Sequence, residues 1–274
     1  MRPSYAELAA ASNYSFLRGA SHPAEMVARA AELGLAAIGL ADCNSVAGVV
    51  RGHVAAREAS IRFLPGARLQ PRDGPDVLCY PGDRAAWGRL CRLLTLGKRR
   101  AAKGECDFSL TELCAHAAGQ FLLVVPPRNP NDIPGLSRLT NSGAEHLGLA
   151  APLCFDGQDA GRLKRLEAIA GQWSIPLVAA ADAWMHVPDR KPLADVLVCV
   201  REGVTIDTAG FRLDANAERH LRGAEEMLSL YEGYEDAVAR SLEIVEGLRF
   251  SLDELRRLKR KPSTISRLRA TASS

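Results

Sequence analysis

The chain has 274 residues, 47% of them hydrophobic and 24% charged, with a formal net charge of +3. This is the composition of a folded globular protein holding one large or two small α/β domains, and by itself it gives no argument for nucleic-acid binding. Seven scattered cysteines without a Cys-x-x-Cys pair exclude a zinc ribbon and a thioredoxin-like motif, and no apolar run approaches the roughly 20 residues of a membrane span, so a soluble cytoplasmic protein with reduced thiols is expected.

In chain order, the first helix opens at Ser21-His22-Pro23, with proline in its first turn, and stops at Gly34. Its apolar face is Met26, Val27, Ala30 and Leu33. Buried strands are predicted at residues 36–40, 61–64 and 77–80, short apolar runs bounded by Gly, Pro or Asp. Between Asp83 and Glu105 there is no acidic residue, while Arg84, Arg89, Arg92, Lys98, Arg99, Arg100 and Lys103 all fall there. Such a run is either a solvated surface or a phosphate-facing patch. Ser109-Leu110-Thr111-Glu112 is a capping box that starts another helix. Strands at 120–125, 146–149 and 177–180 alternate with a helix at 161–172. Helices at 191–201 and 235–247 follow as the strand signal fades. Strands alternating with helices predict a mainly parallel sheet, open or closed into a barrel.

Particular stretches then point to a family. They are Ser15-Phe16-Leu17-Arg18-Gly19-Ala20-Ser21-His22-Pro23, Asn44-Ser45-Val46-Ala47-Gly48-Val49-Val50-Arg51 and Cys91-Arg92-Leu93-Leu94-Thr95-Leu96-Gly97-Lys98-Arg99-Arg100. Lys103-Gly104-Glu105-Cys106 and Ala215-Asn216-Ala217-Glu218-Arg219-His220 add to them. Over residues 4–255 the chain resembles the PHP (polymerase and histidinol phosphatase) domain at the N-terminus of bacterial C-family DNA polymerase α subunits, in their error-prone, translesion branch. The resemblance implies a distorted seven-stranded β/α barrel over residues 1–192. It also implies a helical segment at 193–255 that packs on the barrel and leads toward the palm. The basic end, 256–274, is expected to be disordered, since it has few apolar residues and repeated charge. The chain is then a free-standing module, a truncated product or one piece of a split polymerase.

Metal-binding members of that family carry His-x-His in the first motif, where this chain has Ala9 and Ala11. Cys43 follows Asp42 in place of a third histidine, Arg68 stands for a glutamate, and Trp184 replaces the histidine of the closing Asp-x-His. Two or three divalent ions need clustered His, Asp and Glu donors, and alanine has no lone pair to give. The vestigial set is Asp42, Asp182 and His186, with His116 a further candidate. Arg68 is expected to project into the barrel mouth and pair with Asp42 and Asp182 in place of an ion. No cofactor is expected, although an intact site in relatives binds zinc or manganese. Gly-x-Ser-x-Gly, a Walker loop and His-Glu-x-x-His are all absent, so no catalytic residue is assigned.

The resemblance implies a non-catalytic domain that supports an error-prone polymerase and docks its palm and fingers region, or mutasome and replisome proteins. Arg92, Lys98, Arg99, Arg100 and Lys103 are the candidate DNA or partner surface, and no membrane contact is expected. The alternative is an enzyme, a metal-dependent phosphoesterase or 3′–5′ exonuclease with a rebuilt site.

Overall fold

In a computed structural model the protein is described over residues 4–128 and 130–256. The basic end expected to be disordered lies, from residue 257 on, outside the described residues. Seven strands form one sheet in sequence order: β1 (Ala6–Ala10), β2 (Ala37–Cys43), β3 (Arg62–Leu69), β4 (Asp76–Pro81), β5 (Gln120–Val125), β6 (His146–Pro152) and β7 (Leu177–Ala180). β1–β2–β3 and β5–β6–β7 are parallel, as alternation with helices predicts. β4 is the departure, antiparallel to both β3 and β5. The connection from Leu69 to Asp76 is a short loop, too short for a parallel crossover, so the chain must reverse there.

The helices in order are α1 (Pro23–Glu32), α2 (Val49–Glu58), α3 (Arg84–Arg100), α4 (Leu110–Ala115), α5 (Leu136–Thr140) and α6 (Asp159–Trp173). After β7 come α7 (Lys191–Glu202), α8 (Ile206–Ala209), α9 (Ala224–Leu230), α10 (Glu235–Gly247) and α11 (Asp253–Arg256). The expected division at residues 192 and 193 therefore falls inside α7. α3 is a 17-residue helix where the sequence reads as a charge run. Its buried stripe of Ala86, Leu90, Leu93, Leu94 and Gly97 has helical spacing, and Asp83 caps it by accepting from the Ala86 N–H.

Strand alternation divides the apolar residues into two layers. Leu8, Ala37, Leu64, Leu78, Tyr80, Leu123, Val178 and Ala180 point into the barrel. The opposite faces pack under the helices with Met26, Leu90, Leu136 and Leu166. The interior is narrow: the Tyr80 ring crosses it, and its hydroxyl donates to the Leu8 carbonyl. A Cβ on Gly39 or Gly66 would lie 2.5 Å from Tyr80, which is why both facing positions are glycine. α10 contributes Ile244 and Val245 to this interior, and Leu248, the residue that caps it, joins them. Arg62, at the start of β3, donates to the Val245 and Leu248 carbonyls that end the helix. The helical segment thus completes the barrel core at the N-terminal ends of the parallel strands.

β1 and β7 share no ladder, and a side chain spans the seam between them. Glu7, fully buried, accepts from the Ala181 N–H (2.9 Å), the Tyr5 hydroxyl (2.8 Å) and the Ala9 N–H (2.5 Å). The Ala11 N–H donates to the Ala183 carbonyl just beyond.

Candidate functional site: an arginine-filled barrel mouth

The C-terminal ends of the parallel strands form the mouth, and residue parity decides which side chains reach it. In β3 the inward positions are Leu64, Gly66 and then Arg68; in β7 they are Val178, Ala180 and, two residues past the strand, Asp182. β4 runs the other way, so its first residue, Asp76, also lands at the mouth. Arg68 meets both carboxylates, with Nη1 2.7 Å from Asp182 Oδ1 and Nε 2.8 Å from Asp76 Oδ2. Its side chain is 9% exposed. Burial would lower its proton affinity, but Asp182 and Asp76 more than offset that and raise it.

Asp182 sits in the left-handed region at φ 48° and binds a second guanidinium, that of Arg219. Arg219 is placed by backbone: the Trp184 N–H donates to its carbonyl at 2.9 Å. The Trp184 ring carries both cations, with Arg219 at 4.7 Å and Arg68 at 5.4 Å from its centre, and its Nε1 donates to Asp182 Oδ1 at 3.3 Å. Burial would push Asp182 up, yet Arg219 and Arg68 hold it below the ordinary carboxylate value. A recess of about 190 Å³ remains over this cluster, walled by Val125, Pro126, Arg128 and Phe155.

The expected pairing of Arg68 with Asp42 does not form. Asp42 stands in register with Ala67, and Arg68 with Cys43, so Asp42 and Arg68 point to opposite faces of the sheet. Asp42 instead accepts from the Ser12 N–H (2.7 Å) and from the hydroxyls of Ser12 and Ser15. Burial raises its pKa against those bonds. Burial likewise pushes the Cys43 thiol up, although Arg68 draws it down, so this cysteine stays a thiol.

His186 is away from both carboxylates. Its Nδ1 lies 2.7 Å from Ser21 Oγ, and burial lowers its pKa. His116 bonds the Glu112 carbonyl through Nδ1 at 2.8 Å. Among the described residues no group of three or more His, Cys, Asp or Glu side chains is placed to hold a metal ion. The donor set does not fit the di- or trinuclear centre of metal-binding relatives: the inward position carries a cation, and the two surviving aspartates face different ways. Asp76, Arg219 and Glu7 are the residues that sequence reasoning missed. Asp76 carried a signal, as the first polar residue before an apolar strand; Arg219 lay inside the stretch from Ala215 to His220 without a partner to identify it.

Arg92, Lys98, Arg99, Arg100 and Lys103 are all exposed, on α3 or just after it. Arg100 is tied to Glu112 at 2.5 Å. Among the described residues no helix is long and apolar enough to cross a membrane.

Residues 7–125 match the PHP domain family. This chain carries a PHP domain. It is 49% identical over 257 residues to the error-prone DNA polymerase of Caulobacter vibrioides, covering 93% of this chain and 24% of that protein. It is 47% identical over 264 residues to the error-prone DNA polymerase of Rhodopseudomonas palustris, with the same coverage. The chain thus spans about a quarter of the length of the curated relatives it matches. An amidohydrolase from Chromobacterium violaceum, solved with bound sulfate and no metal, superposes with a TM-score of 0.50 over 66% of this chain and 88% of that one. At 15% identity that likeness speaks to the barrel fold alone.

Proposed function

We propose that this PHP domain is a non-catalytic structural and docking unit of an error-prone DNA polymerase, acting in the cytoplasm in damage-induced translesion synthesis. The observation that carries the reading is the chain of pairs Asp76–Arg68–Asp182–Arg219, which puts two guanidinium groups where ion-binding donors would have to converge. Cations at that place repel a divalent ion, and the carboxylates they hold are already committed. The 47–49% identity to error-prone polymerases supplies the context, and the polymerase activity itself would reside in sequence beyond this chain. The exposed cations Arg92, Lys98, Arg99 and Lys103 supply a face for DNA or an acidic partner.

The test is reconstitution. The chain is mixed with a polypeptide holding the remaining three quarters of the Caulobacter relative, and complex formation and primer extension past a lesion are measured. Co-elution and a gain in extension are expected. A chain that ignores that polypeptide contradicts the reading. So does manganese-dependent phosphoesterase or 3′–5′ exonuclease activity of the chain alone that disappears in Asp42→Asn and Asp182→Asn.

A further inference from the structure

Beside the mouth, beyond Trp184, lies a second recess of about 140 Å³. Three separate stretches of chain line it: Arg18 from the loop after β1, Lys191 and Arg201 from α7, and Arg212 and Arg219 from the segment before α9. Against these five cations the lining supplies two carboxylates, Asp195 and Asp214. Most of the charge is matched. Lys191 lies 2.5 Å from Asp195, Arg201 Nε 3.0 Å from Glu202, and Arg219 is committed to Asp182 with Asp214 at 3.8 Å. Arg18 and Arg212 are exposed and have no ion-pair partner among the described residues.

Bringing unpaired like charges together from distant parts of a chain costs energy unless an anion shares them. The recess far exceeds the roughly 10–15 Å³ that one water needs by the same measure, so a tetrahedral oxyanion fits. Trp184, 9% exposed and overlain by Arg219, forms an apolar wall that strengthens nearby charges. Arginine forks suit phosphate oxygens because two parallel N–H bonds match their geometry.

We propose that this recess binds a phosphate dianion, either free or as the terminal monoester of a DNA strand, with Arg18 and Arg212 as its principal ligands. The two unpaired guanidinium groups match the two charges that such a group approaches near neutral pH. An internal phosphodiester carries one charge and matches less well. The inference does not depend on the chain working inside a polymerase.

Calorimetric titration with inorganic phosphate and with pyrophosphate, at constant ionic strength, tests it. Saturable binding is expected, weakened roughly tenfold or more in Arg18→Ala and in Arg212→Ala, since each removes a charge-assisted bond. Both side chains are exposed, so the variants should melt where the parent does when no phosphate is present. Lys164→Ala, at an exposed lysine on α6, should bind phosphate like the parent. A 5′-phosphorylated oligonucleotide preferred over its unphosphorylated twin, with the preference lost in Arg18→Ala, assigns the ligand to a strand end. Equal affinity for the two strands beside clear phosphate binding assigns it to free phosphate. No saturable binding of phosphate or pyrophosphate overturns the proposal, as does binding that survives in the double variant Arg18→Ala/Arg212→Ala.

Discussion

Arg68 and Glu7 are two buried ionisable groups with opposite arrangements, and each makes its own prediction. Arg68 has two carboxylates, and its removal takes the shared cation from the half-buried Asp76 and leaves Asp182 with Arg219 alone. Breaking such a pair costs about 3–5 kcal/mol. Arg68→Ala should therefore lower the denaturant midpoint sharply, whereas Arg100→Ala, which breaks an exposed pair with Glu112, should cost far less. Equal small losses in the two variants would contradict the pairing account. Glu7 has three donors but no cation, and burial outweighs the donors, raising its pKa from 4.5 to about 7. Between those values the folded protein keeps a proton that the unfolded chain has released. Stability should therefore fall as pH rises through that window and level off above it, by about 3 kcal/mol in all. Asp182 works in the opposite sense: its carboxylate is held low, so its contribution is present above 3.8 and lost only as pH falls through its folded value. Unfolding curves from about pH 5 to 8 should show the Glu7 decline, and Glu7→Gln should remove it. A parent curve that is flat or rising over that range would rule the effect out.

Among the elements, six of the seven strands were legible as apolar runs because both their faces are buried. β1 was not, since Glu7 interrupts it and alanine fills much of the rest. α3 was hidden by its charge: seven cations between Asp83 and Glu105 drew attention from a buried stripe with clean helical spacing. The reversal of β4 was legible only in loop length, as periodicity does not carry strand direction. Nor could the expected partners of Arg68 be sorted without register. Asp42 precedes Cys43 by one residue, and that single step turns it to the other face. The narrowness of the barrel gives a test at this scale. Gly66→Ala would place a Cβ 2.5 Å from the Tyr80 ring and should destabilise the barrel by about 1–3 kcal/mol. Tyr80→Leu in the same chain should recover part of that loss, a coupling that a double-mutant cycle reads directly. Simple additivity of the two substitutions would show that the ring and the glycine do not constrain each other.

For the whole molecule, the family resemblance carried the barrel, while the losses at Ala9, Ala11, Cys43, Arg68 and Trp184 were readable residue by residue. What filled the space was not readable, because Asp76 and Arg219 reach the mouth only through an antiparallel strand and a returning segment. α10 likewise belongs to the barrel interior, although in sequence it reads as part of an appended helical extension. The central claim is that paired arginines have taken the place of a metal centre in this PHP domain. The most direct measurement is thermal unfolding of the chain with manganese or zinc against EDTA. A ligand that binds only the native state at about a hundred times its Kd adds about 2.7 kcal/mol, enough to move the melting temperature visibly. The account predicts the same melting temperature in metal and in EDTA. A metal-dependent rise that EDTA and Asp42→Asn both abolish would contradict it.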